Sequence, residues 1–451
     1  EMVGISNIGA EAQKVNSVKA EKDRIEKEAF FCTTKELSRL GLEQIPTQFQ
    51  SHKHLIYSSP ATLAFNSPGA EGFGVKRAGL AVPDSIMLIV APGCCGRNTS
   101  LISSMKEYND RFYYLMMDET DIVTGRHLKK IPKAVEEICS VCPKKPSVVM
   151  ICITCVDALL GTDMERVCKK AEERVGIPVR PCYMYALTRE GRKPPMVHVR
   201  QSLYSLLEPG KKKGNVVNLL GFFSPLVDDC EIYDLLHSAG VKTIHEISRC
   251  KDYMEYQTMS EANFNLVLHH EARFAAEDFH NRLQIPFIEL RRLYQIDKIE
   301  NQYHALGNAL GVAFCDEKYK KQAEDALEKF RQKCPDASFA IGECLNADPF
   351  ELSLALIRYG FSVPEIYGTI TVENFTYIRS LAKISPETKV FSNMEPTMIY
   401  YDPAKSGVNL AIGKDACYYH PDCPYVMWNG EEQPYGYAGV RRLFEQLLEV
   451  V

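Results

Sequence analysis

The stretch SIMLIVAPGCCG at positions 85–96 joins an uncharged, mostly apolar run to a pair of thiols bounded by glycines. A strand that is apolar on both faces is typical of a parallel sheet covered by helices on each side. In such sheets, functional sites form at the carboxyl ends of the strands, where the loops leave the core. The stretch therefore predicts an α/β protein in which Cys94 and Cys95 lie at the functional edge of a sheet.

Short apolar runs alternate with amphipathic helical patterns along the whole chain, with restarts after the polar stretch EPGKKKG (208–214) and after a charged helix (316–334). The alternation predicts three Rossmann-like units, each a parallel sheet flanked by helices. The predicted strands are 84–91, 111–117, 147–154 and 178–184, then 215–222, 242–247, 264–270 and 286–290, then four runs that begin at 337, 362, 389 and 408. The predicted domains are 1–207 (an N-terminal extension plus the first unit), 215–315, and 316–451 (a linking helix plus the third unit).

The charge balance excludes several classes of partner. The 451 residues carry a net charge of −5, with basic and acidic residues interspersed, whereas nucleic-acid binding requires a basic surface. No apolar run reaches the roughly 18 residues that cross a bilayer. The polar, charged first 30 residues do not resemble a secretory signal. We expect a cytoplasmic protein that binds neither nucleic acid nor a membrane.

Sixteen cysteines in such a chain indicate metal binding or redox chemistry rather than disulfides. Cys155 follows the third predicted strand as Cys94 and Cys95 follow the first, so the two loops of the first unit can bring these thiols together. Gly93 and Gly96 let the backbone approach a bulky inorganic group without a Cβ clash. The sequence therefore predicts a metal or cluster site at this edge.

A zinc site is the competing interpretation, because the chain contains two C-x2-C pairs separated by nine residues (Cys139, Cys142, Cys152 and Cys155). Cys152 is predicted to lie inside a buried strand, where side-chain alternation turns it away from the loop end. Cys139 and Cys142 are predicted to end a helix rather than to occupy a tight turn. This placement disfavours structural zinc.

The cysteine stretches resemble the cluster-binding loops of the nitrogenase component 1 family, which includes the nitrogenase molybdenum–iron protein, its cofactor-assembly scaffold and the catalytic subunits of dark-operative protochlorophyllide reductase. APGCCG places Cys95 at the cysteine of the family's G-x-x-G-C loop, with Cys94 where glycine is usual. CVDALLGTD (155–163) resembles the second motif, a cysteine followed six residues later by glycine and an acidic pair, with one acidic residue retained. The resemblance implies an iron–sulfur cluster bound by Cys95 and Cys155, with Cys94 as an alternative ligand.

One departure from the family reduces the number of thiolates. The family often has a further cysteine before the glycine loop, and Phe65 stands at its place in AFNSPGA (64–70). A four-iron cluster needs about four thiolates, so the resemblance favours a [4Fe-4S] cluster shared by Cys95 and Cys155 of two subunits. The partner is then an identical or homologous subunit, in a homodimer or a heterotetramer.

The residues that resemble the nitrogenase active site are also changed. NLVLHHEARFA (265–275) resembles the segment that anchors the nitrogenase cofactor, with His269 at the place of the cysteine, and VRQSLYS (199–205) retains Gln201 of a pocket motif. The resemblance implies that Gln201 and His269 are catalytic residues of an interdomain cavity, which could also hold a second metallocluster. The alternative for His269 is a local hydrogen bond at the start of a helix. The C-terminal histidine ligand has no counterpart in 426–440, which argues against dinitrogen reduction with the standard cofactor.

CYYHPDC (417–423) concentrates two cysteines and a histidine near the C-terminus. We expect a solvent-facing loop whose cysteines have no role in a site. The alternative is a contribution to the interdomain cavity, for which Cys344 is a second candidate.

Neither a phosphate-binding loop nor a dinucleotide fingerprint occurs in the chain, so energy for a low-potential reduction has to come from a partner. In the family that partner is a dimeric ATP-dependent iron protein. The predicted function is therefore a nitrogenase-like iron–sulfur oxidoreductase subunit, which accepts electrons from such a protein and reduces a substrate that the sequence does not identify. A non-catalytic scaffold for metallocluster assembly and a cluster-free small-molecule binder are the alternatives.

Overall fold

The computed structural model describes residues 28–53, 59–64, 74–93, 103–184 and 193–451. The predicted ligands Cys94 and Cys95, the predicted Gly96, and Phe65 lie outside the described residues. The strands are β1 Phe31–Thr33, β2 Ile86–Ala91, β3 Phe112–Met116, β4 Val149–Ile153, β5 Val179–Tyr183, β6 Lys213–Leu220, β7 Thr243–His245, β8 Ala262–Val267, β9 Phe287–Glu289, β10 Ser338–Ile341, β11 Ser362–Tyr367, β12 Lys389–Phe391, β13 Leu410–Ile412 and β14 Tyr425–Val426.

Helices connect these strands. The α-helices are α1 Thr34–Leu40, α2 Pro60–Ala64, α3 Val75–Gly79, α4 Glu119–Thr124, α5 His127–Val141, α6 Cys155–Leu159, α7 Met164–Val175, α8 Pro195–Tyr204, α9 Glu231–Ser238, α10 Tyr253–Gln257, α11 Arg273–Leu283, α12 Ile296–Leu310, α13 Glu317–Lys333, α14 Pro349–Arg358, α15 Phe375–Ile384, α16 Lys414–Tyr419 and α17 Gly436–Val450. At the start of α7, the Asp163 side chain accepts a hydrogen bond from the Arg166 N–H. At its end, Gly176 adopts the left-handed conformation that commonly terminates helices. In the described ranges, no helix has both the length and the hydropathy of a membrane-crossing segment.

The strands form three sheets, as the alternation predicts, so the α/β prediction is confirmed. The first sheet has the order β3-β2-β4-β5 and the second β7-β6-β8-β9, and the described strand pairs in both are parallel. Every residue of β2 and β4 is buried, because helices cover both faces. The division into domains at 207, 215 and 315 stays a prediction.

The third sheet contains a strand that the periodicity did not reveal. Its order is β1-β12-β11-β10-β13-β14, and β1 pairs antiparallel with β12 at the edge of an otherwise parallel sheet. The segment around β1 therefore packs with the third sheet, although the first sheet follows it in sequence. Pairing of β1 with β12 covers an edge whose N–H and C=O groups would otherwise be open.

The three sheets share their apolar cores. One cluster of buried side chains joins β6 and β8 of the second sheet to β10 of the third, and another joins β2 of the first sheet to β6 of the second. Shared cores fix the relative orientation of the sheets, so that the carboxyl ends of strands from different sheets face common spaces. The candidate sites lie at those ends.

Candidate functional site

Cys155 lies where the sequence predicted a strand-end thiol. It is the first residue of α6, directly after β4, and its side chain is half-buried. Val90 of β2 pairs with Ile153 of β4, so Gly93 and Cys155 follow neighbouring strands that are about 4.8 Å apart. The loop that starts at Gly93 and continues to Cys94 and Cys95 therefore begins beside the Cys155 end of β4.

A buried ion pair lies below Cys155, and the sequence analysis did not anticipate it. His127 Nε2 lies 2.7 Å from Asp157 Oδ1, and both side chains are 1% exposed. His127 Nδ1 lies 3.2 Å from the Asp121 carbonyl oxygen, so both ring nitrogens face acceptors and both carry protons. Burial opposes this charge, but the Asp157 hydrogen bond and charge outweigh it and raise the pKa of His127 above its ordinary value. The pair anchors the short helix that carries Cys155.

Two buried oxygens beside Cys155 fit a bound group. Asp157 Oδ2 and Thr154 Oγ1 are buried and have no hydrogen-bond partner among the described residues. Buried polar atoms without a partner are costly and are usually satisfied by a ligand, an ion or water. The half-buried Cys155 thiol makes no hydrogen bond to any described residue, so ligation of its sulfur would displace none.

The C-x2-C pairs do not form a metal centre. Cys139 and Cys142 lie at the end of α5, where the Cys142 thiol is 3.1 Å from the Tyr113 hydroxyl. Cys152 is fully buried in β4 and packs in the same apolar cluster as Cys182. Across the described residues, no group of three or more His, Cys, Asp or Glu side chains is placed to hold a metal ion. A cluster at Cys155 therefore needs thiolates from the loop at 94–95 or from another subunit.

A cavity of about 450 Å³ lies between the second and third sheets. Its walls follow the carboxyl ends of β8, β9, β10 and β11, which is the place that the fold class favours for a site. The residues that line it are Leu268, His269, His270, Glu271, Glu289, Leu290, Arg291, Arg292, Glu343, Ala347, Asp348, Pro349, Thr369, Thr371, Glu373, Asn374 and Tyr377. The lining is polar and contains no cysteine among the residues that the structure describes.

His269 lines this cavity as a neutral imidazole. Its Nδ1 accepts the Glu271 N–H at 3.3 Å at the start of the short turn His270–Ala272, which is the local hydrogen bond of the alternative interpretation. A catalytic role for His269 stays a prediction. Burial, followed by the charges of Arg200 and His270, keeps the pKa of His269 well below its ordinary value. Because Nδ1 accepts, the proton lies on Nε2, which makes no hydrogen bond to any described residue. His269 therefore offers a donor to an occupant of the cavity.

Gly221 allows this position of His269. Its φ is +140°, and a Cβ there would lie 2.8 Å from the His269 backbone nitrogen. The buried Arg200 guanidinium donates to the Gly221 carbonyl oxygen and pairs with Glu271 at 2.8 Å. Arg200 belongs to α8, so it ties the helix that carries Gln201 to the loop that carries His269.

Gln201 does not line the cavity. Its Nε2 donates to Asp278 Oδ2 at 2.8 Å, and its Oε1 accepts from Lys193 Nζ at 2.8 Å. The structure therefore places the two predicted catalytic residues in different surroundings, with only His269 at the cavity wall. A catalytic role for Gln201 stays a prediction.

Two carboxyl groups of the cavity are half-buried, and the pKa of each is raised. Burial, then the neighbouring Asp415, raises the pKa of Glu343, which accepts the Thr369 N–H at 2.8 Å. Burial also raises the pKa of Asp348, although it accepts the Phe350 and Glu351 N–H groups at the start of α14. These carboxyl groups can hold a proton closer to neutral pH than exposed acids do.

Ion pairs link the second and third sheets beside the cavity. Arg273 of α11 pairs with Glu289 at 2.8 Å and with Glu373, which follows β11, at 3.0 Å. Arg291 approaches the same Glu373 at 3.8 Å. These arginines neutralise the negative charges of Glu289 and Glu373.

The expectation of a solvent-facing loop at 417–423 is wrong. The first three residues of the stretch, 417–419, form the end of α16. Cys417 is buried, and His420 is 3% exposed. His420 Nε2 lies 2.8 Å from the Tyr401 hydroxyl and 3.4 Å from Glu365 Oε2 in a polar cluster on the third sheet. The segment around β1 packs over this face through Phe31 and Ala29, a coverage that the local sequence of 417–423 does not indicate.

The lowered pKa of His198 on α8 makes the folding stability of the protein depend on pH. Burial, then Lys193, lowers the pKa of His198 from 6.5 to about 4, so the unfolded chain binds its proton at a higher pH than the folded chain does. We expect the free energy of unfolding to fall as pH drops from about 6.5 to about 4, by on the order of 2 kcal/mol from this group. Urea unfolding at both pH values should show this fall in the free energy of unfolding for the wild type. His198→Gln should not show the part of the fall that comes from His198. The exposed His304→Gln is the control, and equal pH dependence in the wild type and His198→Gln contradicts the assignment.

Comparison with known proteins agrees with this architecture. Residues 71–451 match the family model described as nitrogenase component 1 type oxidoreductase. The chain is 25% identical to the nitrogenase iron-molybdenum cofactor biosynthesis protein NifE of Sinorhizobium fredii, over 86% of this chain and 82% of that protein. It is also 25% identical to NifE of Nostoc sp., over 60% of this chain and 58% of that protein.

The fold is also similar to that of a solved structure titled nitrogenase Cp1 at pH 6.5. The TM-score is 0.67 at 18% identity, and the match covers 87% of this chain and 92% of that one. At this identity the likeness concerns the fold alone.

Proposed function

Because this chain belongs to the nitrogenase component 1 type oxidoreductase family, we propose that it is a subunit of a nitrogenase-like iron–sulfur oxidoreductase. In this proposal it accepts electrons from an ATP-dependent iron protein and reduces a substrate in the cavity between the second and third sheets. The cavity carries the proposal, because it lies at the carboxyl ends of β8–β11 and combines the His269 donor with two carboxyl groups whose pKa is raised.

We propose that Cys155 and Cys95, with Cys94 as the alternative ligand, hold a [4Fe-4S] cluster together with the same residues of an identical or homologous subunit. Support comes from the half-buried Cys155 thiol, the open Asp157 and Thr154 oxygens, and the glycine at the neighbouring strand end. Gly93 and Gly96 would let the backbone approach the cluster. When bound, such a cluster supplies one-electron transfer.

The side chains of the cavity suit a reduction that consumes protons. The raised pKa values of Glu343 and Asp348 make these two carboxyl groups the candidate proton donors of the cavity. His269 Nε2–H can hold an acceptor atom of the substrate in position.

Cluster reduction by the iron protein tests this function. The full chain, purified anaerobically, should contain about four iron and four sulfide per two chains, and dithionite should bleach its visible absorbance. With the iron protein of the same organism as the reductant, bleaching should require MgATP. MgADP is the control. Absence of iron, or equal reduction with either nucleotide, contradicts the proposal.

The second candidate is a metallocluster-assembly scaffold, which the names of the NifE relatives favour. A lining without described cysteine would hold a cluster weakly enough to release it. A scaffold should pass iron to an apo acceptor of the same family without consuming substrate, whereas the oxidoreductase should turn over. For either function we propose a cytoplasmic location and no nucleic-acid or membrane partner.

A further inference from the structure

Arg292 is a cation of the cavity wall without a carboxylate partner. It follows β9, is half-buried, and its guanidinium carbon lies 4.6 Å from the centroid of the Phe222 ring. Nη1 donates to Gln433 Oε1 at 2.8 Å and to the Pro434 carbonyl oxygen at 3.4 Å. Within the described residues, Nε and Nη2 make no hydrogen bond. Arg292 therefore keeps one side of its planar donor group open.

The carboxylates of the cavity are all engaged elsewhere. Glu271 pairs with Arg200, while Glu289 and Glu373 pair with Arg273. Glu343 and Asp348 accept backbone N–H groups, and partial burial raises the pKa of both. In the described part of the chain, no carboxylate lies within 4.0 Å of Arg292. A guanidinium that is partly removed from water without a counter-charge costs free energy, which a bound anion offsets.

A second donor of the cavity wall lies near Arg292. The Phe222 ring, which the Arg292 guanidinium covers, has its centroid 5.7 Å from that of His269, whose Nε2–H is open. Arg292 and His269 both line the cavity, and the charge of Arg292 acts on the His269 ring. Tyr435 also packs against Phe222, but its hydroxyl is buried and does not line the cavity. We call Arg292 and His269 the donor corner.

We propose that the donor corner binds an oxyanion, a carboxylate or a phosphate group, on the molecule that occupies the cavity. The inference rests on the proposed function only in that the cavity is taken to hold a substrate or cofactor. Donors without a neighbouring unpaired acceptor select a negative group, and the fork of a guanidinium matches the two oxygens of a carboxylate or phosphate. The donor corner therefore selects ligands that carry a small oxyanion.

Isothermal titration of the full-length protein with citrate and, separately, with inorganic phosphate tests the proposal. We expect the wild type to bind at least one of them and Arg292→Met to bind it about 10- to 100-fold more weakly, as loss of a charge-assisted forked bond predicts. Binding of citrate alone assigns a carboxylate, and binding of phosphate alone assigns a phosphate group. Arg292→Lys keeps the charge without the fork and should show a smaller loss.

Arg174→Gln is the matched control, because it removes the same charge from a residue of α7 that pairs with Glu136 and does not line the cavity. We expect its affinity to stay within about threefold of the wild type. No binding of either anion to the wild type at 10 mM, about the weakest affinity that titration detects, overturns the proposal, as does equal binding by the wild type and Arg292→Met. Iron content, measured on the same samples, should not change in Arg292→Met, so failure of the anion site is distinguishable from failure of the cluster proposal.

Discussion

Anaerobically purified Cys155→Ala is expected to retain less than about a tenth of the iron of the wild type. In a cluster shared by two chains this change removes two of about four thiolates, and the remaining pair cannot complete the tetrahedral ligation of the iron atoms. Alanine is a favourable residue in a helix, and the half-buried side chain of Cys155 leaves only a small void, so the fold should persist. Iron and acid-labile sulfide analysis, with circular dichroism for the fold, measures both effects.

Cys139→Ala and Cys142→Ala are the controls, since both residues lie at the far end of α5 and neither belongs to a described group that could hold a metal. Both variants should retain the iron of the wild type. Retained iron in Cys155→Ala would show that the cluster has other ligands. Loss of iron in all three variants would mean that iron content does not report on ligation by Cys155.

For Asp157→Ala, we expect a loss of about 3 kcal/mol in the free energy of unfolding. The change leaves the charged His127 ring buried without its partner at 2.7 Å and also removes the acceptor of the Thr162 hydroxyl at 2.9 Å. Breaking one side of a buried ion pair is among the most destabilising single changes, because the other charge stays out of water. Urea unfolding at pH 6, monitored by circular dichroism, measures the loss.

Asp163→Ala provides the comparison for this prediction. Asp163 is exposed and caps α7 with a hydrogen bond from the Arg166 N–H at 3.1 Å, so its removal should cost about 1 kcal/mol. Asp157→Asn keeps an acceptor for His127 without the charge and should fall between the two alanine variants. A loss in Asp157→Ala no greater than that in Asp163→Ala would mean that the buried pair contributes little to stability.

Local sequence pattern was sufficient for the architecture but not for the edges of the third sheet. Long apolar runs such as 85–91 can be recognised as strands because a strand buried on both faces has apolar side chains at consecutive positions. The three-residue β1 and the two-residue β14 carry too little periodicity to be recognised, and they form because neighbouring strand edges are available for pairing. The burial of His420 likewise depends on chain segments that lie far from it in sequence.

The sequence alone determined that this is a three-sheet α/β protein with Cys155 at the carboxyl end of a buried strand, since alternation, run length and turn residues are local properties. Only the tertiary structure decided which side chains face one another. The His127–Asp157 pair spans 30 positions, and the contact of Arg292 with Gln433 spans 141. Such contacts depend on how shared cores orient whole sheets, and no spacing along the chain encodes that orientation.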